Sequence, residues 1–339
     1  MQKVIIIAEA GVNHNGSLEQ AFRLVDIAAA AGADYVKFQT FKASKLVSGN
    51  APKADYQQVN TGDTAKSQLE MLQKLELSTK DFGAVFDYCK TKGIGFLSTG
   101  FDDESVRYID SLGVDFHKVP SGEITNLPYL RLIASCGKPV ILSTGMANLE
   151  EVKQALEVLY NEGLKPQQIT ILHCTTEYPA PFGEVNLRAM LTMGRAFGLE
   201  TGYSDHTGGI EIPVAAVALG AVMIEKHFTI SRDLPGPDHK ASLEPEELSL
   251  MVRSIRNVEM ALGDGIKQAT PSGRKNILVA RRSIHLAADL PAGHQLQASD
   301  LAMKRPGNGI SPMLLNEVTG KKLKHPLTKD TQLSWDDIR

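Results

Sequence analysis

Short apolar runs that break off into polar residues recur along this chain, separated by helical patterns, and no other feature narrows its fold so far. The runs are Val4 to Ala8, Asp34 to Phe38, Ile94 to Leu97, Val114 to Val119, Pro139 to Leu142, Ile169 to His173, Leu199 to Tyr203 and Ala221 to Glu225. Each is short and continuously apolar, the pattern of a parallel strand buried on both faces. Ser17 with Gln20 makes a capping box ahead of Leu18, Ala21, Phe22 and Val25, and Asn148 with Glu151 opens a helix carrying Leu149, Val152, Leu156 and Leu159 on one face. A last long helix carries Leu248, Met251, Val252, Ile255, Val258 and Leu262. Only Ala43 to Ala65 breaks the rhythm, as a polar insertion expected on a loop. Eight strand-helix units over about 260 residues predict a (β/α)8 TIM barrel. An open doubly wound sheet competes, but no Gly-x-Gly-x-x-Gly follows the first run, and polar residues close nearly every run instead of gathering at one switch point.

The pattern changes after Gly263. Residues 265–282 read as a linker, and 283–339 as a small β-rich module with strand-like Ser283 to Ala287, Gln295 to Gln297, Leu301 to Lys304 and Gln332 to Trp335. The predicted domains are therefore 1–264, the barrel, and 283–339, a module too small to be comfortably stable alone and expected to lean on a partner surface. A net charge of -3 lacks the basic excess of a nucleic-acid binder, so an anionic ligand must be held by a local cluster. Cys89, Cys136 and Cys174 share no CxxC spacing, which fits structural thiols in a reducing compartment. The opening run is too short for a signal peptide, and no stretch approaches the roughly 18 apolar residues of a membrane span, so a cytoplasmic protein is expected.

A barrel gathers the polar strand ends at one mouth: Glu9, Lys37 with Gln39, Thr99, Lys118 with Ser121 and Glu123, Ser143 with Thr144, Thr175 with Thr176, Ser204 with His206, and Lys226 with His227. His206 and His227 follow neighbouring runs. Two imidazoles on one rim, with Asp205, Glu225, Asp238 and His239 nearby, could bind a divalent cation. Lys37, Lys118 and Lys226 with the hydroxyls of Ser121, Ser143, Thr144, Thr176 and Ser204 could hold a phosphate and a carboxylate together. Glu9 and Glu123 could bond sugar hydroxyls or move a proton, or simply pair with these lysines. Asn13, Asn15 and the glycines of the loop 10–16 brace Glu9, with His14 a weak candidate for chemistry. A metal beside such an anion site suggests activation of a carbonyl, and phosphoenolpyruvate carries both anionic groups; aldolase and phosphatase chemistry fit the same residues.

Eight motifs, in order, resemble the bacterial sialic acid synthase family, which includes legionaminate synthases. They are residues 8–16 (AEAGVNHNG), 36–40 (VKFQT), 118–123 (KVPSGE), 142–146 (LSTGM), 173–179 (HCTTEYP), 203–207 (YSDHT), 225–229 (EKHFT) and 304–309 (KRPGNG). The match spans essentially the whole chain, and its last part resembles the antifreeze-like (SAF) domain of these enzymes. The resemblance implies condensation of phosphoenolpyruvate with an N-acetylmannosamine-type aldehyde, with Mn2+ or Mg2+ held by His206 and His227. It implies phosphoenolpyruvate at Lys37, Thr99, Lys118, Ser121, Ser143 and Ser204, and a sugar and metal-bound water facing Glu9, Glu123, Tyr178 and Asp238; Glu123 or the metal-bound water is expected to guide the attacking water. Thr176 stands where some members have Asn toward phosphoenolpyruvate, a departure that leaves a shorter reach. Arg305 matches an arginine that enters the partner's active site in a domain-swapped homodimer. An ice- or carbohydrate-binding protein is the reading from another class, against which Lys304, Arg305, Lys321, Lys322 and Lys324 count, since an ice-binding face is flat and largely uncharged. A barrel metallohydrolase, releasing phosphate without any sugar, is the other enzyme reading.

Overall fold

The computed structural model describes residues 3–61 and 67–339, without the side chains of Asp55, Tyr56 and Val59. Its chain divides into two compact units, Met1–Asp264 and Gly265–Arg339. In the first, parallel strands β1 (Ile5–Gly11), β2 (Tyr35–Thr40), β3 (Gly95–Gly100), β4 (His117–Val119), β5 (Val140–Ser143), β6 (Ile169–Cys174), β7 (Glu200–Asp205) and β8 (Met223–His227) form one sheet. Its ladder order is β3-β2-β1-β8-β7-β6-β5-β4, with β3 and β4 side by side at the closure, which gives the TIM barrel. At that seam the buried Tyr129 hydroxyl lies 2.6 Å from the Gly100 carbonyl and 3.4 Å from that of Lys118, spanning the two strands.

Several strands run further toward the mouth than their apolar stretches suggest. Polar residues continue the ladder there, every second one facing the barrel interior. Alternation along each strand sets a plug of Ile7, Leu97, Ile141, Leu172 and Met223 across the barrel. Two residues further along the same strands stand Glu9, Thr99, Ser143, Cys174 and Glu225, a polar floor laid on an apolar plug. Gly202 belongs to the plug level, where a Cβ would lie 2.4 Å from the Met223 carbonyl. The intervening residues face the helices: Ala8, Phe38, Tyr203 and Ile224 join the larger outer core with the helices Leu18–Ala31 and Pro245–Leu262.

The insertion after β2 is not a plain loop. It contains helices Ala43–Leu46, Asp55–Thr61 and Gln68–Leu75, the last capped by Ser67, and Met71, Leu72 and Leu75 pack with Val12 and Phe41. Its residues 62–65 lie outside the described ones. In the second unit, the stretch read as linker carries a helix, Pro271–Ala280, capped by the Thr270 hydroxyl. Ser283–Leu286 and Leu301–Lys304 pair antiparallel, while Gln295 and Gln332 contribute only isolated bridges. Ile284, Leu286, Leu296, Ile310, Val318, Leu323 and Leu333 form a core of its own.

Candidate active site

The polar floor is an ion network. Lys37 Nζ lies 2.8 Å from Glu9 and 3.6 Å from Glu225, whose other oxygen is 3.5 Å from Lys118 Nζ and accepts a 3.2 Å hydrogen bond from the Ser204 hydroxyl. Burial alone would raise Glu225, yet Lys118 and Lys37 outweigh it and hold its carboxyl down at about 2. Burial, reinforced by Glu225, pushes Glu9 up to about 7 against the pull of Lys37. Lys37 and Lys118 thus converge on Glu225 while Glu9 is held above the ordinary carboxylate range, which leaves the floor less negative toward an anionic ligand.

These groups line a cavity of about 180 Å³ together with Gln39, Thr99, Ser121, Ser143, Cys174, Thr176, Tyr178, His206 and His227. The Ser143 hydroxyl is buried there without a hydrogen-bond partner among the described residues. Ser121 Oγ accepts from the Gly145 amide at 2.9 Å and sits 3.2 Å from Cys174 Sγ. Gly145 is needed for that approach, since a Cβ would stand 2.4 Å from Thr176 Oγ1 and 2.9 Å from Ser121 Oγ.

The two imidazoles meet at the cavity's upper edge, their ring centroids 5.5 Å apart, with Tyr178 stacked 4.1 Å from His206. His206 Nδ1 donates to the Thr175 carbonyl at 2.6 Å, which leaves the lone pair on Nε2. His227 Nδ1 is buried without a hydrogen-bond partner among the described residues. Burial holds His206 down at about 4 and His227 well below the usual imidazole range. Two neutral, converging imidazoles beside carboxylates fit a divalent cation. Asp110, His117 and Cys136 also bring ligand-type atoms within 4.8 Å of one another, but at the amino-terminal end of β4, where Lys138 Nζ already lies 3.1 Å from Asp110.

Asp238 lies beyond the histidines, in a cavity of about 100 Å³ that shares Gln39, Tyr178 and His227 with the first; burial pushes its carboxyl up to about 6. The loop that carries it is tied to the one after β1: Asn13 Nδ2 donates to the Phe228 carbonyl at 2.8 Å and to Ser242 Oγ at 3.0 Å, while Ser242 donates to the Asp238 carbonyl at 2.7 Å. Asn13 thus braces the Asp238 loop more directly than Glu9.

Several expected residues stand elsewhere. Lys226 is fully buried on the helix-facing side of β8, paired with Asp205 and donating to the Thr207 carbonyl. Strand alternation requires it, because Glu225 and His227 on either side point inward. Asp205 and His239 are likewise no cation ligands: Asp205 takes Lys226 and Thr207, and His239 contacts Thr229 Oγ1 at 2.6 Å and Asn15 at 3.3 Å. Thr144 donates to the Leu172 carbonyl. His14 is sealed near Phe38 and Phe82, where its Nδ1 accepts from the Gly16 amide. Glu123 stands half-buried outside the cavity, accepting from Asn126 Nδ2 at 2.6 Å. Arg305 is exposed in the second unit, its Nε bonded to the Ala280 carbonyl. Cys174, read as a structural thiol, instead lines the cavity; its place two residues after the plug residue Leu172 was the available signal.

Comparison with known proteins shows the family of the whole chain. The NeuB family model matches residues 24–267 and the SAF domain model residues 281–339. The N,N'-diacetyllegionaminic acid synthase of Campylobacter jejuni is 55% identical, with 95% of this chain and 96% of that protein covered. The protein of the same name from Legionella pneumophila is 47% identical over 98% of this chain and 94% of its own length. The crystal structure of an N-acetylneuraminic acid (sialic acid) synthetase from Leptospira borgpetersenii in complex with citrate superposes with a TM-score of 0.71 at 34% identity, over 81% of this chain and 90% of that one.

Proposed function

Because this chain belongs to the NeuB family, we propose that it condenses phosphoenolpyruvate with the open-chain aldehyde of an N-acetylated amino sugar and water, releasing phosphate and a nine-carbon 2-keto acid. One observation carries the reading: Lys37 and Lys118 face the His206–His227 pair across a single cavity, so an anion and a polarised carbonyl can be held edge to edge. Lys37 and Lys118, with the hydroxyls of Thr99, Ser121, Ser143, Thr176 and Ser204, hold the phosphate and carboxylate of phosphoenolpyruvate. His206 and His227 would hold Mn2+ or Mg2+, which supplies Lewis-acid polarisation of the aldehyde. Carbon 3 of phosphoenolpyruvate attacks that aldehyde carbon. Carbon 2 turns electron-poor, and the carboxylates of Glu225 and Glu9 below it stabilise the developing positive charge. Water then adds at carbon 2, and phosphate leaves by C–O cleavage. Asp238, which lines the neighbouring cavity with Tyr178 and His227, or Glu123 would orient that water.

Two sugars suit this chemistry: N-acetylmannosamine, giving N-acetylneuraminate, and 2,4-diacetamido-2,4,6-trideoxymannose, giving legionaminate. The names of the 55% and 47% identical relatives favour the second. The working unit of the proposal is a cytoplasmic, domain-swapped homodimer in which Arg305 serves the partner's barrel; the free thiols Cys89, Cys136 and Cys174 support a reducing compartment. Among the described residues no helix is long and apolar enough to cross a membrane. The test is phosphate release from phosphoenolpyruvate with Mn2+ and either sugar or none, with product masses read in parallel. Release that depends on an amino sugar and yields a nine-carbon keto acid is the expected result; release without sugar would replace the proposal with a hydrolase.

A further inference from the structure

Three cavities follow one another away from the barrel floor. The lysine-lined cavity shares Gln39, Tyr178 and His227 with the one that holds Asp238, and that one shares Met71, Leu75 and Pro237 with a third of about 280 Å³. We propose that the third cavity receives the carbon-4 to carbon-6 end of the amino sugar and selects for an apolar substituent at carbon 6; this rests on the substrate reading above. With phosphoenolpyruvate at the lysines and the aldehyde at the histidines, an open-chain hexose laid past Asp238 points its last carbons at Met71 and Leu75.

The walls suit a methyl group. Met71 and Leu75 lie four residues apart on the helix Gln68–Leu75, so both face the same way, and both are buried. Opposite them runs Pro235-Gly236-Pro237. Asn60 Nδ2 donates to the Pro237 carbonyl at 2.6 Å, and the Gly236 backbone runs so close to His239 that an added Cβ would stand 2.7 Å from its ring. A hydroxyl or phosphate laid against these side chains loses water for little return. Lys53, which donates to Thr61 Oγ1 at 3.0 Å, and the exposed Lys74 also border the cavity, and they make a sugar 6-phosphate the competing occupant.

The experiment uses the full-length enzyme with Mn2+ and three sugars that differ only at carbon 6: 2-acetamido-2,6-dideoxymannose, N-acetylmannosamine and N-acetylmannosamine 6-phosphate. kcat/KM for phosphate release falls by about tenfold from methyl to hydroxyl, and again to phosphate, within the range one group contributes in an apolar pocket. Met71→Gln and Leu75→Gln each shrink the methyl-over-hydroxyl ratio, chiefly through KM. The wild-type series stands without them should either variant fail to fold. Equal kcat/KM for all three sugars, or the phosphate as the best substrate, overturns the proposal. No release with these three sugars or with 2,4-diacetamido-2,4,6-trideoxymannose, run alongside them, would overturn the reading beneath it instead.

Discussion

Lys226 and Lys118 look alike in the sequence, each a lysine at a polar strand end, and the structure gives them opposite tasks. Lys118 faces the cavity, whereas Lys226 pairs with Asp205 where neither side chain meets solvent. Removing one partner of a buried pair strands the other charge, so Lys226→Met should lower unfolding stability by about 3–5 kcal/mol. Its KM for phosphoenolpyruvate should stay within about threefold of wild type, because no uniform binding interaction is lost. Urea titrations beside phosphoenolpyruvate kinetics check both halves, and a large KM rise at unchanged stability would return Lys226 to the anion site. Residue types were legible in the sequence here. The side each residue faces was not, because a one-residue difference in strand phase separates a ligand from a strut.

Strand and helix existence followed from apolar periodicity, but element ends did not, since the residues that extend β3, β5, β7 and β8 are mostly polar, alternating between the barrel interior, as Thr99, Ser143, Ser204 and His227 do, and the helix-facing side, as Asp205 and Lys226 do. The helices of the insertion were hidden for the opposite reason: apolar side chains are sparse there and pack locally. Elements are also tied together by charge at the barrel's amino-terminal end. Asp34 accepts from the Ile6 amide of β1 at 2.8 Å and pairs with Lys3 and with Arg256 of the helix Pro245–Leu262. Burial alone would raise its pKa, but these partners hold it below the ordinary 3.8. A carboxyl depressed in the native state contributes stability that is complete above 3.8 and is lost as pH falls through the native value. Thermal melts of wild type and Asp34→Asn should therefore differ at pH 6 and converge as the pH drops below 3.8. A gap that stays constant would show that the Asp34 charge does not tie these elements together.

For the whole molecule, the barrel was legible because its period repeats, and the second unit was legible as a β-rich SAF module whose strands Ser283–Leu286 and Leu301–Lys304 pair; its other strand-like stretches form isolated bridges instead of a ladder. The proposed domain swap makes a prediction at this scale. Mixing Arg305→Ala chains with Lys118→Met chains gives hybrid dimers in which one site of each has an intact barrel and an intact arginine. Random assortment then restores about one quarter of wild-type activity from two inactive parents. Mixtures as inactive as their parents would mean that Arg305 serves its own barrel. The alternation on β7 and β8 has a consequence for preparations of this protein. A chain that set either strand one residue out of phase would drive the Asp205–Lys226 pair into the cavity and the imidazoles among the helices. Such a chain would lose the anion-holding hydroxyl of Ser204 and the imidazole pair together, so turnover reports on strand phase as well as on chemistry.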